Sequence, residues 1–156
     1  MRRLAIVLGL LFIAAFAAAD EKFIEKRVVA HLDADGVQRA SITGGEYFFD
    51  PNVIVVKVNA PVELTLKKEP GITPHDFVLK APEAGIDVKA DLATEPKIVK
   101  FTATKPGRYP FECSERLLFF KSHKDKGMHG FLEVVEGERR AGDKAQGADQ
   151  PPAAKP

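Results

Sequence analysis

The run Val53-Ile54-Val55-Val56-Lys57-Val58-Asn59-Ala60-Pro61-Val62-Glu63-Leu64-Thr65-Leu66-Lys67 decides how the rest of the chain is read. Its first half is the most β-branched stretch of the sequence, and such side chains pack well on a pleated surface but crowd a helix. Asn59-Ala60-Pro61 breaks the run. Val62, Leu64 and Leu66 then alternate with polar residues, the period of a half-buried strand. The same signature recurs on both sides. Arg27–Leu32 reads as a strand, Asp33-Ala34-Asp35-Gly36 as a tight turn that accepts positive φ, and Val37–Thr43 as the returning strand. Gly44-Gly45 punctuates, Glu46-Tyr47-Phe48-Phe49 follows, and Asp50-Pro51-Asn52 turns the chain. Further on, His75–Leu79 is a strand opening on a histidine. Residues 81–96 form a long connection with one helical turn, and Ile98–Ala103 is again a strand. Arg108–Cys113 is read as an edge strand, because Pro110 has no N–H to give a central ladder. Phe131–Val135 closes the series. About eight short strands at regular spacing, with no sustained helical period, predict an all-β sandwich over residues 20–136 with an N-terminal β-hairpin extension.

The chain has 156 residues, within the size of one domain. A hydrophobic fraction of 45% with 29% charged residues fits a soluble globular protein. The net charge of +1, from 23 basic against 22 acidic residues, argues against a strongly basic nucleic-acid binder, so no nucleic-acid partner is expected. Arg2 and Arg3 precede an apolar run from Leu4 to Phe16 and the small residues Ala17-Ala18-Ala19. That order is a secretory signal peptide over residues 1–19, too short for a hydrocarbon core that needs about 20 apolar residues. Cleavage before Asp20 leaves 21 basic and 22 acidic residues, a net charge of −1. The expected location is periplasmic or secreted, with no membrane span after cleavage. Residues 137–156 hold no aromatic and no branched aliphatic residue. Such a tail buries too little apolar area to offset its ordering entropy, and is expected to be disordered.

Export gives meaning to the single cysteine, Cys113. In an oxidising compartment a lone thiol is a liability unless it is bridged to a partner or bound to metal. After Cys113 come His123 and Met128 on the same loop, and His75 opens a distant strand. Each residue alone has a bland reading: a core thiol, a strand cap, a surface histidine among lysines, an apolar gap-filler. Together they are the donor set of a mononuclear copper site, with a thiolate and two imidazoles as strong ligands and a weak axial thioether. A stiff β-sandwich would hold such ligands still while one electron comes and goes.

Tyr109-Pro110-Phe111-Glu112-Cys113, then His123 to Met128, with the earlier Pro74-His75-Asp76-Phe77, resemble the cupredoxins. Tyr47–Pro51 and Val53–Val56 are similar to the start of the domain in cytochrome oxidase subunit II, and the resemblance covers residues 40–136. The four residues between His123 and Met128 are similar to the spacing of plastocyanin-like sites. The resemblance implies a cupredoxin-like Greek-key β-sandwich that binds one copper ion, cycling between Cu(I) and Cu(II). It implies His75, Cys113 and His123 as strong ligands and Met128 as axial ligand. The implied role is one-electron transfer with a redox partner protein, a respiratory-chain component among the candidates, and no enzymatic turnover. The alternatives are a periplasmic copper chaperone or sequestration protein, and a red-copper site like that of nitrosocyanin.

Three departures qualify the likeness. Nine residues separate Cys113 from His123, a longer loop than in small cupredoxins. Asp76 stands where many cupredoxins have Asn, and its charge would favour Cu(II). His129, beside Met128, competes for the axial place, and Glu112 or Glu115 could supply the carboxylate of a red-copper site. A dinuclear oxidase-type centre needs two cysteines and is excluded. Zinc ranks below copper, since structural zinc sites draw closely spaced cysteine pairs. Asp33–Gly36 lacks the later ligands of a calcium loop, and no nucleophile elbow supports a hydrolase. Leu117-Leu118-Phe119-Phe120 is expected either to fold back into the core or to cover the metal as a docking surface.

Overall fold

The computed structural model describes residues 23–116 and 121–137. Residues 1–22, which include the expected signal peptide, the Leu117–Phe120 run and residues 138–156 of the expected tail lie outside the described residues. The strands are β1 (Arg27–Val29), β2 (His31–Leu32), β3 (Gln38–Gly45), β4 (Phe48–Asp50), β5 (Val53–Lys57), β6 (Pro61–Lys68), β7 (Asp76–Ala81), β8 (Ile86–Asp91), β9 (Lys97–Thr102), β10 (Gly107–Glu112) and β11 (His129–Val135). They form two sheets, in the orders β1-β5-β11-β10-β7-β8 and β2-β3-β6-β9, with β4 added on β3. The chain passes repeatedly from one sheet to the other, so the architecture is a cupredoxin-like β-sandwich. Among the described residues no helix is long and apolar enough to cross a membrane.

The deciding run becomes β5 and β6, one in each sheet. β5 lies between β1 and β11 and pairs with both in parallel, which explains its unbroken apolar sequence. Ile54 and Val56 enter the common core with Leu64 and Leu66 of β6 and with Phe77, Leu79, Phe111 and Leu132. Val53 and Val55 occupy the opposite face. Beside them Arg27 is bonded to Glu133, and the Arg108 guanidinium lies 4.1 Å from the Phe131 ring centre. Long charged side chains thus cover apolar surface with their stems. At the β5–β6 corner the buried Gln38 amide donates to the Lys57 and Ala60 carbonyls and accepts from the Lys57 N–H at 2.6 Å. That clamp between the sheets leaves its own polar groups satisfied.

The expected hairpin is present, with Asp33–Gly36 as its turn and Arg39 bonded to Asp33 and Asp35. It is built into the sandwich rather than appended. The chain changes sheet at the buried Ala30, so β1 joins one sheet and β2 the other, and β3 continues as an inner strand beside β6. Two expectations are corrected. The connection over 81–96 holds the helical turn at Pro82–Ala84 but also the strand β8, whose Ile86, Val88 and Ala90 face inward. β10 is an inner strand, not an edge: its ladder to β7 involves only Phe111 and Glu112, so Pro110 falls beyond the pairing and its missing N–H leaves no gap.

Candidate metal centre

His75 immediately precedes β7, Cys113 follows β10, and Met128 immediately precedes β11. These neighbouring strands of one sheet therefore deliver three of the four expected ligands to the same end of the sandwich. His123 comes from the loop between β10 and β11. That loop is closed by backbone bonds. The Cys113 N–H donates to the Met128 carbonyl at 3.1 Å, the Met128 N–H to the His123 carbonyl at 3.0 Å, and the His123 N–H to the Glu115 carbonyl at 3.0 Å. A turn at Lys124–Lys126 and Gly127, at φ +106, return the chain to the sheet.

The donor atoms converge. His123 Nδ1 is 3.1 Å from His75 Nδ1 and 3.5 Å from Cys113 Sγ, and His75 Nδ1 is 3.9 Å from that sulfur. Two nitrogens about 2.0 Å and a sulfur about 2.3 Å from one ion lie roughly 3–4 Å apart, so these separations fit a shared transition metal. Three lone pairs face one another with only protons or a cation to reconcile them. All three residues are buried, and among the described residues they form the only group of His, Cys, Asp or Glu side chains with this convergence.

Burial sets their protonation. It holds both imidazoles below the ordinary histidine pKa, with the neighbouring His123 adding to the effect on His75 and Lys126 to that on His123. Both rings are therefore neutral donors at physiological pH. Burial pushes the Cys113 thiol up to about 11, so the metal-free site keeps its sulfur proton and a metal must displace it.

Met128 is fully buried in the core, against the β3 backbone. A Cβ built on Gly44 would meet Met128 Cε at 3.3 Å and Leu92 Cδ1 at 2.6 Å, so the tip of the methionine packs closely on this glycine. His129 points to the other side, as alternation along a strand requires. Its ring stacks on Phe23 at 4.9 Å, and its buried Nδ1 has no partner among the described residues. Glu112 is paired with Lys124. The structure thus brings His129, Glu112 and Glu115 nowhere into the donor group.

Sequence reading missed what steadies the donors. The fully buried Asp76 carboxylate accepts from the Ser114 N–H at 2.6 Å and from the Ser114 hydroxyl, and the Asp76 N–H donates to Cys113 Sγ at 3.5 Å. The residue after His75 is thereby tied to the residue after Cys113. Tyr47 lies against both histidines. Two clefts flank the Thr73-Pro74 segment. One of about 290 Å³ is lined by Gly44, Lys68 and His75, the other of about 220 Å³ by Tyr47, Arg116 and His123.

The family model of the cupredoxin-like domain matches residues 4–132, and the chain belongs to that family. Among curated proteins no sequence relative is found. Among solved structures, the chain is similar to the metal-binding domain of the Cu(I)-exporting P-type ATPase CopA of Streptococcus pneumoniae D39, solved with Cu(I). The two are 25% identical over 72% of this chain and 99% of that one, with a TM-score of 0.54. It is similar also to a copper-binding protein solved in its apo form, 22% identical over 72% of this chain and 98% of that one, TM-score 0.51. The periplasmic domain of cytochrome oxidase subunit II (CoxB) of Bradyrhizobium japonicum matches at 23% identity over 63% of this chain and 83% of that one, TM-score 0.49.

Proposed function

We propose that the protein is an exported mononuclear copper-binding protein that transfers one electron at a time. His75, Cys113 and His123 are its strong ligands and Met128 its weak axial one. The observation that carries this reading is the mutual approach of two imidazole nitrogens and one thiol sulfur within 4.8 Å, all buried. A soft sulfur favours Cu(I) while imidazole serves both oxidation states, so this donor set suits an ion that cycles. Export rests on the N-terminal sequence. The partner is a redox protein, with a respiratory-chain component as the candidate, and no substrate is turned over.

The test is a Cu(II) titration of the metal-free protein, followed by visible absorption and electron paramagnetic resonance. An intense thiolate-to-copper charge-transfer band is expected, and Cys113→Ser should abolish it while the domain stays folded. A chain that binds no copper, or a band that survives Cys113→Ser, refutes the proposal. A second reading, delivery or sequestration of Cu(I), is favoured by the likeness to the CopA domain solved with Cu(I). Repeated oxidation and reduction without loss of copper selects electron transfer; copper loss on reduction to a Cu(I) acceptor selects delivery.

A further inference from the structure

Tyr47 occupies the turn between β3 and β4 with φ +66. Among the described residues the other non-glycine residue at positive φ is Asn59, a type that tolerates it. A bulky aromatic in this conformation persists only where its surroundings hold it there. What surrounds Tyr47 is the metal centre. Its ring meets the His123 ring edge to face at 5.0 Å and the His75 ring in the same manner at 6.3 Å. The Lys126 ammonium lies over the Tyr47 ring, 4.0 Å from its centre. The backbone is engaged too: the Tyr47 carbonyl lies 3.5 Å from where a Cβ on Gly127 would stand. Turn, ring and lysine thus brace the two histidines, which come from distant parts of the chain, with one half-buried side chain. Among the described residues the Tyr47 hydroxyl makes no hydrogen bond, so the ring rather than the phenol makes the contacts.

We propose that Tyr47 is a positioning residue of this centre: its ring, steadied by Lys126, holds the His75 and His123 imidazoles together and governs how fast bound metal leaves. The inference rests on the proposed copper site. Dissociation requires at least one imidazole to swing away from the other donors. Tyr47 lines the cleft that reaches His123, and so stands where that ring would move. With the tyrosine ring removed, both imidazoles gain room.

The experiment loads wild type, Tyr47→Phe, Tyr47→Gly and Lys126→Gln with Cu(I). It follows capture of the metal by excess colorimetric Cu(I) chelator, and records the Cu(II) electron paramagnetic resonance spectrum of each. Glycine is chosen because it accepts the positive φ without strain, so a poorly folded variant is not the expected result. Supporting structure around metal ligands is typically worth 10–100-fold, so Tyr47→Gly should release copper about tenfold faster or more, while Tyr47→Phe stays within about twofold of wild type. Lys126→Gln should release copper faster than wild type but slower than Tyr47→Gly. Tyr47→Gly should also change the spectrum, which a remote stability effect would leave alone. A Tyr47→Gly protein with wild-type release and spectrum overturns the inference, as does a Tyr47→Phe protein as fast as Tyr47→Gly. A wild-type protein that fails to bind copper refutes instead the function proposed above.

Discussion

Asp76→Ala tests whether the donors are held by the protein before any metal arrives. The Asp76 carboxylate is fully buried and accepts two hydrogen bonds, from the N–H and the hydroxyl of Ser114. A hydrogen bond to a charged group contributes about 1.5–3 kcal/mol, so two of them represent about 3–6 kcal/mol. Part of this is offset, because the variant no longer buries a carboxylate. Lys89, 3.6 Å from Asp76 but largely exposed, adds little. The net expectation for the metal-free protein is a loss of roughly 2–4 kcal/mol, which for a domain of this size is a fall of roughly 8–16 °C in the unfolding midpoint. Asp76→Asn keeps the shape and can meet both Ser114 groups, its oxygen accepting from the N–H and its amide donating to the hydroxyl oxygen. It should lose only about 1 kcal/mol. The assay is urea unfolding of metal-free wild type, Asp76→Ala and Asp76→Asn. An alanine variant within about 0.5 kcal/mol of wild type would refute the reasoning, since that is the range of a surface substitution. In the copper-loaded form Asp76→Asn should raise the reduction potential, because a negative charge that favours Cu(II) has gone.

The remaining predictions concern pH and the axial position. The folded-state pKa values of His75 and His123 lie below the ordinary 6.5, so the unfolded chain binds more protons in acid. Metal-free stability should therefore be full above pH 6.5 and fall as the pH drops through the lowered folded values. Cys113 acts in the opposite sense: its pKa rises from 9.0 to about 11, so stability is full below pH 9.0 and is lost as the pH climbs towards 11. Chemical denaturation of the metal-free protein across that range checks both arms, and a flat profile contradicts them. Met128→Leu should raise the reduction potential and alter the spectrum, whereas His129→Ala should change both only slightly, by voltammetry and electron paramagnetic resonance. A large effect of His129→Ala with a silent Met128→Leu would reverse the assignment.

The parts of the fold that were legible are those where a local pattern and the tertiary demand coincide. Val53–Val56 reads as a buried strand because β5 is covered on both faces, and Asp33–Gly36 reads as a turn because its own side chains make it one. β8 is written in the alternation of Ile86, Val88 and Ala90 with Asp87, Lys89 and Asp91, but Pro82 and Gly85 ahead of it and Pro96 behind it signal a loop, and those breakers outweighed the short pattern. Pro110 misled because a missing donor matters only opposite a partner, and where β7 begins to pair is not written in the sequence. At the candidate metal centre the proposed donors stand out by rarity, a single cysteine followed by a histidine and one of two methionines. The residues that hold them did not. Ser114 means nothing until Asp76 faces it, and Tyr47 is one aromatic among many until a turn carries it over residues 75 and 123.

The long loop between Cys113 and His123 is the departure that sets this chain apart from small cupredoxins, and the described residues on either side of it are held by backbone bonds. What fixes a donor is where its backbone is anchored, not how many residues intervene. Cys113 and Met128 are joined by a backbone bond that continues the β10–β11 ladder beyond Glu112 and His129. The Met128 N–H reaches back to the His123 carbonyl, so the histidine is fixed from the β11 side at short range. Among the described residues of the loop, the His123 N–H bonds to the Glu115 carbonyl, which ties its two sides together near the donors. His75 comes from another part of the chain and is drawn in through Asp76, whose N–H and carboxylate grip Cys113 and Ser114. Loop-closure entropy grows only slowly with length, so the extra residues cost little once the base is tied. The donor separations are thus set by the sheet and by a few hydrogen bonds. Lengthening or shortening the chain between Arg116 and Lys121 should leave the spectrum of the copper form unchanged.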